Sequence, residues 1–155
     1  KQILIEVNKR LFGEMERNYF ITASLAMIDT ESGNILFCRA GHPHSLLING
    51  DKCESLKSGG IGLGLDKGEA FESSLEEIEV KMENGSLFVI YSDGISEAMN
   101  EKQEEFGEER IIKVLMGNSK SSVDTIQKKL LSGIVDFCGD AEQHDDITLL
   151  LVKFN

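Results

Sequence analysis

No stretch of this 155-residue chain approaches the run of about 18 apolar residues that a membrane-spanning helix needs, so a membrane span is excluded. Basic residues are scarce. Sixteen Lys and Arg stand against 27 Asp and Glu, a formal charge of −11, and no Lys/Arg cluster stands out. A nucleic-acid backbone would be repelled over most of such a surface, which leaves nucleic acid a poor partner. Cysteine is sparse too: Cys38, Cys53 and Cys138 are odd in number, far apart and in no CxxC arrangement. Neither a disulfide framework nor a zinc knuckle is indicated, and the cytoplasm is the default compartment. The chain opens on "KQILIEVNKR", without methionine and without a signal-peptide pattern. The expectation is a piece of a longer protein.

What is present has the size of one ordinary folding unit, expected to be a single domain over residues 1–155. Ile3, Leu4, Val7, Leu11 and Met15 fall at helical spacing, which predicts an amphipathic helix from Lys1 to about Arg17. The pattern then changes to short strand-like runs: "FITASLAMID" (Phe20 to Asp29), "NILFCRA" (Asn34 to Ala40), "SLLING" (Ser45 to Gly50) and "KCESL" (Lys52 to Leu56). Turn residues this closely spaced predict antiparallel hairpins, with Asn49-Gly50 the strongest signal. "FESSLEEIEV" (Phe71 to Val80) extends the series as an exposed or edge strand. Two helices follow, one over Glu108 to Met116 and one from Ser121 or Ser122 to Gly139. The second combines an N-cap, the apolar period Val123, Ile126, Leu130, Ile134, Phe137, and a terminal glycine. "HDDITLLLVKF" predicts a final buried strand. Antiparallel strands with helices grouped at the ends indicate α+β layers.

The stretch "SLFVIYSDGISEAMN" drives five apolar or aromatic residues, Leu87 to Tyr91, straight into Ser92, Asp93 and Gly94. The run reads as a buried strand, and Asp93 sits where it ends. Two readings stand there: Asp93 caps the next short helix, with Glu97 in its first turn, or it is a functional carboxylate held at a rigid strand end. Asp145 and Asp146 open the last strand, either as turn or bulge residues or as partners of Asp93. If the two strands are antiparallel neighbours, the carboxylates converge on one rim of a sheet. Converging carboxylates repel one another unless a cation lies between them. Hard divalent ions such as Mg²⁺ or Mn²⁺ prefer such oxygen ligands and can activate a water as nucleophile.

Together these residues resemble a family. "YSDGISEAMNEKQEEFGEERI" (Tyr91 to Ile111) and "DDITLLLV" (Asp145 to Val152) are similar to the metal-dependent PPM-type serine/threonine phosphatases of the bacterial SpoIIE/RsbU branch. "AGHPHSLLING" (Ala40 to Gly50) resembles that branch's AGHxPxLL hairpin, and "GGIGLGL" (Gly59 to Leu65) its glycine-rich segment. The resemblance implies an αββα sandwich of antiparallel sheets flanked by helices, with a two-metal Mn²⁺/Mg²⁺ site whose ligands carry over onto Asp93 and Asp145. Gly94, Asp146 and His144 take supporting positions. It also implies hydrolysis of phosphoserine or phosphothreonine by a metal-activated water, with no protein nucleophile. The implied substrate is a phosphorylated STAS-domain anti-anti-sigma factor, and the implied upstream region a sensor or receiver.

One departure is marked. The family's earlier GD(Y/F)(Y/F)D motif and the GHGxxAA helix have no counterpart here. The expectation is an N-terminally truncated domain that binds metal weakly, is inactive alone, and covers its exposed face by homodimerisation or strand exchange. The competing reading is a non-catalytic module that keeps the fold to bind a STAS or kinase partner. A receiver-like domain with Asp93 as phospho-acceptor would need alternating βα units, which the hairpin pattern lacks. Gly59, Gly60, Gly62, Gly64 and Gly68 match no phosphate-loop spacing and no helix pattern follows them, so they read as a flexible connection. His42 and His44 read as turn residues, and Glu69 to Glu83 as a solvated face. His144 can hydrogen-bond a ligand or substrate, but the structural reading is preferred.

Overall fold

The computed structural model describes residues 1–16 and 18–155. In chain order its elements are α1 (Gln2–Leu11), β1 (Ala23–Ile28), β2 (Asn34–Ala40), β3 (Ser45–Asn49), β4 (Lys52–Leu56), α2 (Glu69–Ser74), β5 (Glu77–Lys81), β6 (Leu87–Tyr91), α3 (Asp93–Ser96), α4 (Gly107–Asn118), α5 (Val123–Cys138) and β7 (Leu149–Lys153). The described residues thus form a mixed α+β chain with two antiparallel sheets and five helices. No helix among them is long and apolar enough to cross a membrane. The chain divides into two compact units, Lys1–His44 with Lys57–Lys81, and Ser45–Leu56 with Met82–Asn155.

The first unit carries a three-stranded antiparallel sheet in the order β1-β2-β5. β1 and β2 pair from Ala23 opposite Ala40 to Ile28 opposite Ile35, and β5 joins from Asn34 opposite Lys81. Leu4 and Ile5 of α1 are buried with Cys38, Ala40, Leu63, Phe71 and Leu75. The buried face of α1 is therefore Leu4, Ile5 and Asn8, whereas Ile3 and Val7 of the expected apolar stripe are exposed. Asn8 explains the rotation. Its amide nitrogen donates to the Asp66 carbonyl at 2.9 Å and its amide oxygen accepts from the Gly64 N–H at 2.8 Å, so this buried polar side chain is satisfied at both ends. The helix stops at Leu11. Its expected end near Arg17 falls on a residue outside the described ones.

Two expectations are corrected in this unit. "FESSLEEIEV" is not one strand: its first residues form α2, and only Glu77 onward is strand, alternating exposed and half-buried. The Asp66 carboxylate causes this, accepting from the N–H groups of Gly68 at 2.9 Å and Phe71 at 3.0 Å. Those bonds satisfy amides that a helix start leaves unpaired, and Glu69 and Glu72 add favourable negative charge to the first turn. The glycine run likewise leads into a helix, contrary to the sequence reading, and it is packed. A Cβ on Gly60 would strike the Arg39 carbonyl, and Gly41 donates its N–H to the Gly60 carbonyl at 2.9 Å.

Those backbone bonds hold the Asp66 carboxyl below its usual range, the Gly68 bond contributing most and the Phe71 bond next. A depressed folded-state value means that the stabilisation is complete above the unfolded value and is lost as pH falls through the folded one. Asp66→Asn is therefore expected to lower the urea midpoint at pH 7. The difference from wild type should shrink on acidification below the ordinary carboxylate value of 3.8 and vanish under the folded one. A difference that persists unchanged in strong acid would remove the charge from this account.

The second unit carries a four-stranded antiparallel sheet in the order β4-β3-β6-β7. Leu87, Val89 and Tyr91, alternate residues of β6, are buried with Leu46 and Ile48 of β3, Ile111 and Leu115 of α4, and Ile126, Leu130 and Ile134 of α5. This is the period-2 face of a strand meeting the 3.6-period faces of two helices. α5 begins at the cap Ser122, whose hydroxyl accepts from the Thr125 N–H at 3.3 Å, and ends at Gly139 with φ of 59°. Both ends are those its sequence predicts. β7 is not the buried strand expected. It pairs only with β6, so it is an edge strand, mostly half-buried, with Leu150 exposed.

Candidate metal centre

The site residues lie in the second unit, where β6 ends and β7 begins. The two strands pair antiparallel, with Tyr91 opposite Leu149, so the residue after Tyr91 faces the residue before Leu149. Ser92 fastens this junction. Its N–H donates to the Thr148 carbonyl at 3.0 Å, its hydroxyl donates to the Asp146 carbonyl at 3.0 Å, and the same oxygen accepts from the Thr148 N–H at 2.9 Å. Gly94, buried, lies so close to the Asp145–Asp146 backbone that an added Cβ would meet the Asp146 carbonyl group. The backbone of Asp93–Gly94 is thereby brought beside that of Asp145–Asp146.

The helix-cap reading of Asp93 does not hold. Ser92 occupies the N-cap position of α3, and Asp93 is its first helical residue. The Asp93 Oδ1 accepts from the adjacent Gly94 N–H at 3.1 Å, and the Asp145 Oδ1 likewise from the Asp146 N–H at 2.7 Å. Both side chains belong to exposed residues, as do Asp146 and His144. Among the described residues no Lys or Arg pairs with either aspartate, and no hydrogen bond joins His144 to them. His42, in contrast, is engaged with Thr22, its ring Nδ1 lying 3.1 Å from the threonine hydroxyl.

The donor chemistry suits a hard cation, since Asp93, Asp145 and Asp146 offer only carboxylate oxygens. Their number does not. Among the described residues no group of three or more His, Cys, Asp or Glu side chains is arranged to hold a metal ion. A two-metal Mn²⁺ or Mg²⁺ centre therefore does not fit the residues present here as a complete site.

Two contributions to this geometry were not foreseen. Ser92 is only the residue after the apolar run in the sequence, and the cross-strand pairing shows it bonding both sides of the junction. Tyr91 reads as an apolar strand residue, yet its hydroxyl donates to Glu108 Oε2 at 3.0 Å and ties the end of β6 to the first turn of α4. Burial, followed by the nearby Glu108 charge, pushes this phenol well above its ordinary value, so it stays neutral.

Comparison with known proteins places this arrangement. Protein IcfG of Synechocystis sp. is 30% identical over 139 residues, which are 88% of this chain and 21% of that protein. Stage II sporulation protein E of Priestia megaterium is 26% identical over 136 residues, 86% of this chain and 22% of that protein. The chain thus spans well under two thirds of these relatives. Among solved structures, the SiaA-PP2C domain of Pseudomonas aeruginosa matches with a TM-score of 0.84 at 21% identity, covering 99% of this chain and 60% of that one. The phosphatase domain of SpoIIE from Bacillus subtilis, presoaked with Mn, matches with a TM-score of 0.71 at 18% identity, covering 100% and 67%. These two likenesses establish the fold. The family model for Stage II sporulation protein E (SpoIIE) matches residues 1–155, and the chain belongs to that family of PP2C-type phosphatase domains.

Proposed function

We propose that the protein carrying this chain removes phosphate from phosphoserine or phosphothreonine of a regulatory protein, a STAS-type anti-anti-sigma factor, in the cytoplasm. Asp93 and Asp145 are assigned as ligands of a Mn²⁺ or Mg²⁺ centre, with Gly94, Asp146 and His144 in support. The observation that carries this reading is the junction at Ser92, which sets the end of β6 against the start of β7 and puts the backbone of Asp93–Gly94 beside that of Asp145–Asp146, with both aspartates exposed. A cation held between them would offset their mutual repulsion. The remaining ligands are assigned to the family's GD(Y/F)(Y/F)D motif, outside this sequence, and a sensor or receiver region is assigned to the same protein.

On this reading the chain alone binds metal weakly and is inactive. Its first unit leaves Tyr19, Phe20, Ile21 and Met27 exposed, and β1 is an edge strand. A homodimer covering such a surface is the proposed state of the isolated chain. The alternative, a partner-binding module without catalysis, is favoured by a single observation, the absence of a three-ligand group among the described residues.

The test is Mn²⁺-dependent hydrolysis of p-nitrophenyl phosphate by the full-length protein and by this chain, each with an Asp93→Asn control. Hydrolysis by the full-length protein is expected to fall by about 10² or more in the control, with none from the chain alone. An inactive full-length protein would favour the binding module. Asp93-dependent turnover by the chain alone would show that the further ligands are dispensable.

A further inference from the structure

A cavity of about 250 Å³ opens in the second unit directly beside the candidate metal centre, and Gly94 and Asp145 themselves form part of its wall. Its lining is mainly apolar: Ala98 and Met99 after α3, Ile134 and Val135 of α5, and Ile147 before β7. Val135 is 67% exposed, unusual for a large apolar residue on a helix whose neighbours Ile126, Leu130 and Ile134 are buried. An apolar cavity with a few polar groups in its wall is the usual form of a ligand pocket, and Val135 is the exposed part of its lining. The charge around it has one sign. Glu97, Glu142 and Asp145 belong to the wall, and no Lys or Arg does.

We infer that this cavity is a specificity pocket for the polypeptide substrate, taking an apolar side chain of the phosphoprotein while the acidic wall receives an adjacent lysine or arginine. The inference rests on the phosphatase reading for the position of the phosphoryl group. Because Asp145 belongs to both the cavity and the candidate centre, the anchor must lie close to the phosphorylated residue. An extended chain advances about 3.3–3.6 Å per residue, so the peptides tested set the anchor about two or three positions from the phosphorylated residue. The volume accommodates a leucine-sized group, and the apolar lining makes its burial favourable. The basic neighbour follows from charge complementarity, which orients an incoming segment and rejects acidic ones. The pocket therefore discriminates among phosphoproteins without taking part in the chemistry.

The probes are fluorescein-labelled phosphoserine peptides bearing leucine or serine at the anchor position, each with lysine or glutamate beside it. They are measured with the full-length protein by fluorescence anisotropy and by phosphate release, with p-nitrophenyl phosphate as the small-substrate control. Wild type is expected to prefer leucine over serine by about tenfold or more in kcat/KM, and lysine over glutamate in the same direction. Val135→Gln, at an exposed helical position, should abolish the leucine preference. Glu142→Gln should abolish the lysine preference. Both variants should hydrolyse p-nitrophenyl phosphate within about twofold of wild type, because that substrate reaches neither contact.

Equal treatment of the four peptides by wild type, or unchanged preferences in both variants, would overturn the pocket. So would a parallel loss of p-nitrophenyl phosphate turnover, which marks a structural effect. If wild type hydrolyses nothing, the phosphatase reading alone fails. Anisotropy then still decides the pocket: a leucine preference in binding that Val135→Gln removes supports it, and equal binding overturns it.

Discussion

Gly94→Ala is expected to destabilise the second unit by about 1–3 kcal/mol, the usual cost of forcing one extra carbon into a packed site. The added Cβ would press on the Asp146 carbonyl oxygen and lie 3.0 Å from the Asp146 carbonyl carbon and 3.4 Å from that of Asp145. These are backbone atoms, so no rotamer change relieves the contact. The Asp145–Asp146 segment is also held by Ser92, whose hydroxyl bonds Asp146 and Thr148, and relaxation would have to break those bonds. The substitution should therefore separate Asp93 from Asp145 as well as lower stability. At about 2–4 °C per kcal/mol for a chain of this size, thermal unfolding resolves the change. Gly117→Ala is the control of opposite sign. Gly117 lies in the last turn of α4 with nothing near its Cβ direction, and alanine there is expected to stabilise by at most about 0.5 kcal/mol through helix propensity. If Gly94→Ala unfolds at the wild-type temperature, the close approach of the two segments is wrong.

Phe71→Ala should cost more, about 3–5 kcal/mol, as a fully buried aromatic ring replaced by a methyl group leaves a cavity. Phe71 sits on α2, and it is buried in one cluster with Leu4 and Ile5 of α1 and with Leu63 and Leu75. Removing it takes apolar support from α1, which Asn8, Lys1 bonded to the Leu75 carbonyl, and Lys9 paired with Glu72 also tie to this unit. The total stability of a domain is only about 5–15 kcal/mol, so a loss of this size is a large fraction. Urea unfolding should show a midpoint shifted far below wild type, and amide exchange in α1 should accelerate first. A cost below about 1 kcal/mol would mean that Phe71 occupies a surface position, as it would on the edge strand that its own sequence suggests.

That last contrast shows where local reading stops. "FESSLEEIEV" places apolar residues at Phe71, Leu75, Ile78 and Val80, a spacing that serves a helical turn at its start and a strand at its end. The choice is made by the Asp66 carboxylate upstream and by α1 residues distant in sequence that bury Phe71. The elements whose signals are wholly local were legible. β2 and β4 run over Asn34–Ala40 and Lys52–Leu56 as their turn residues demand, and α5 runs between its serine cap and its terminal glycine. β7 was legible as a strand but not as an edge, because its apolar run is the same whether one neighbour covers it or two.

The sequence by itself determined the α+β class, the family, and the placing of acids at two strand ends, because alternation, caps, turns and short motifs are written in neighbouring residues. Tertiary structure alone decided that β6 and β7 are partners, that Ser92 bonds across them, that Gly94 meets the Asp146 carbonyl, and that Val135 stands at the mouth of an acidic-walled cavity. Each of these joins segments far apart in the chain. Such contacts depend on strand register and helix rotation, and both are set by burial of the whole unit and not by any local run of residues.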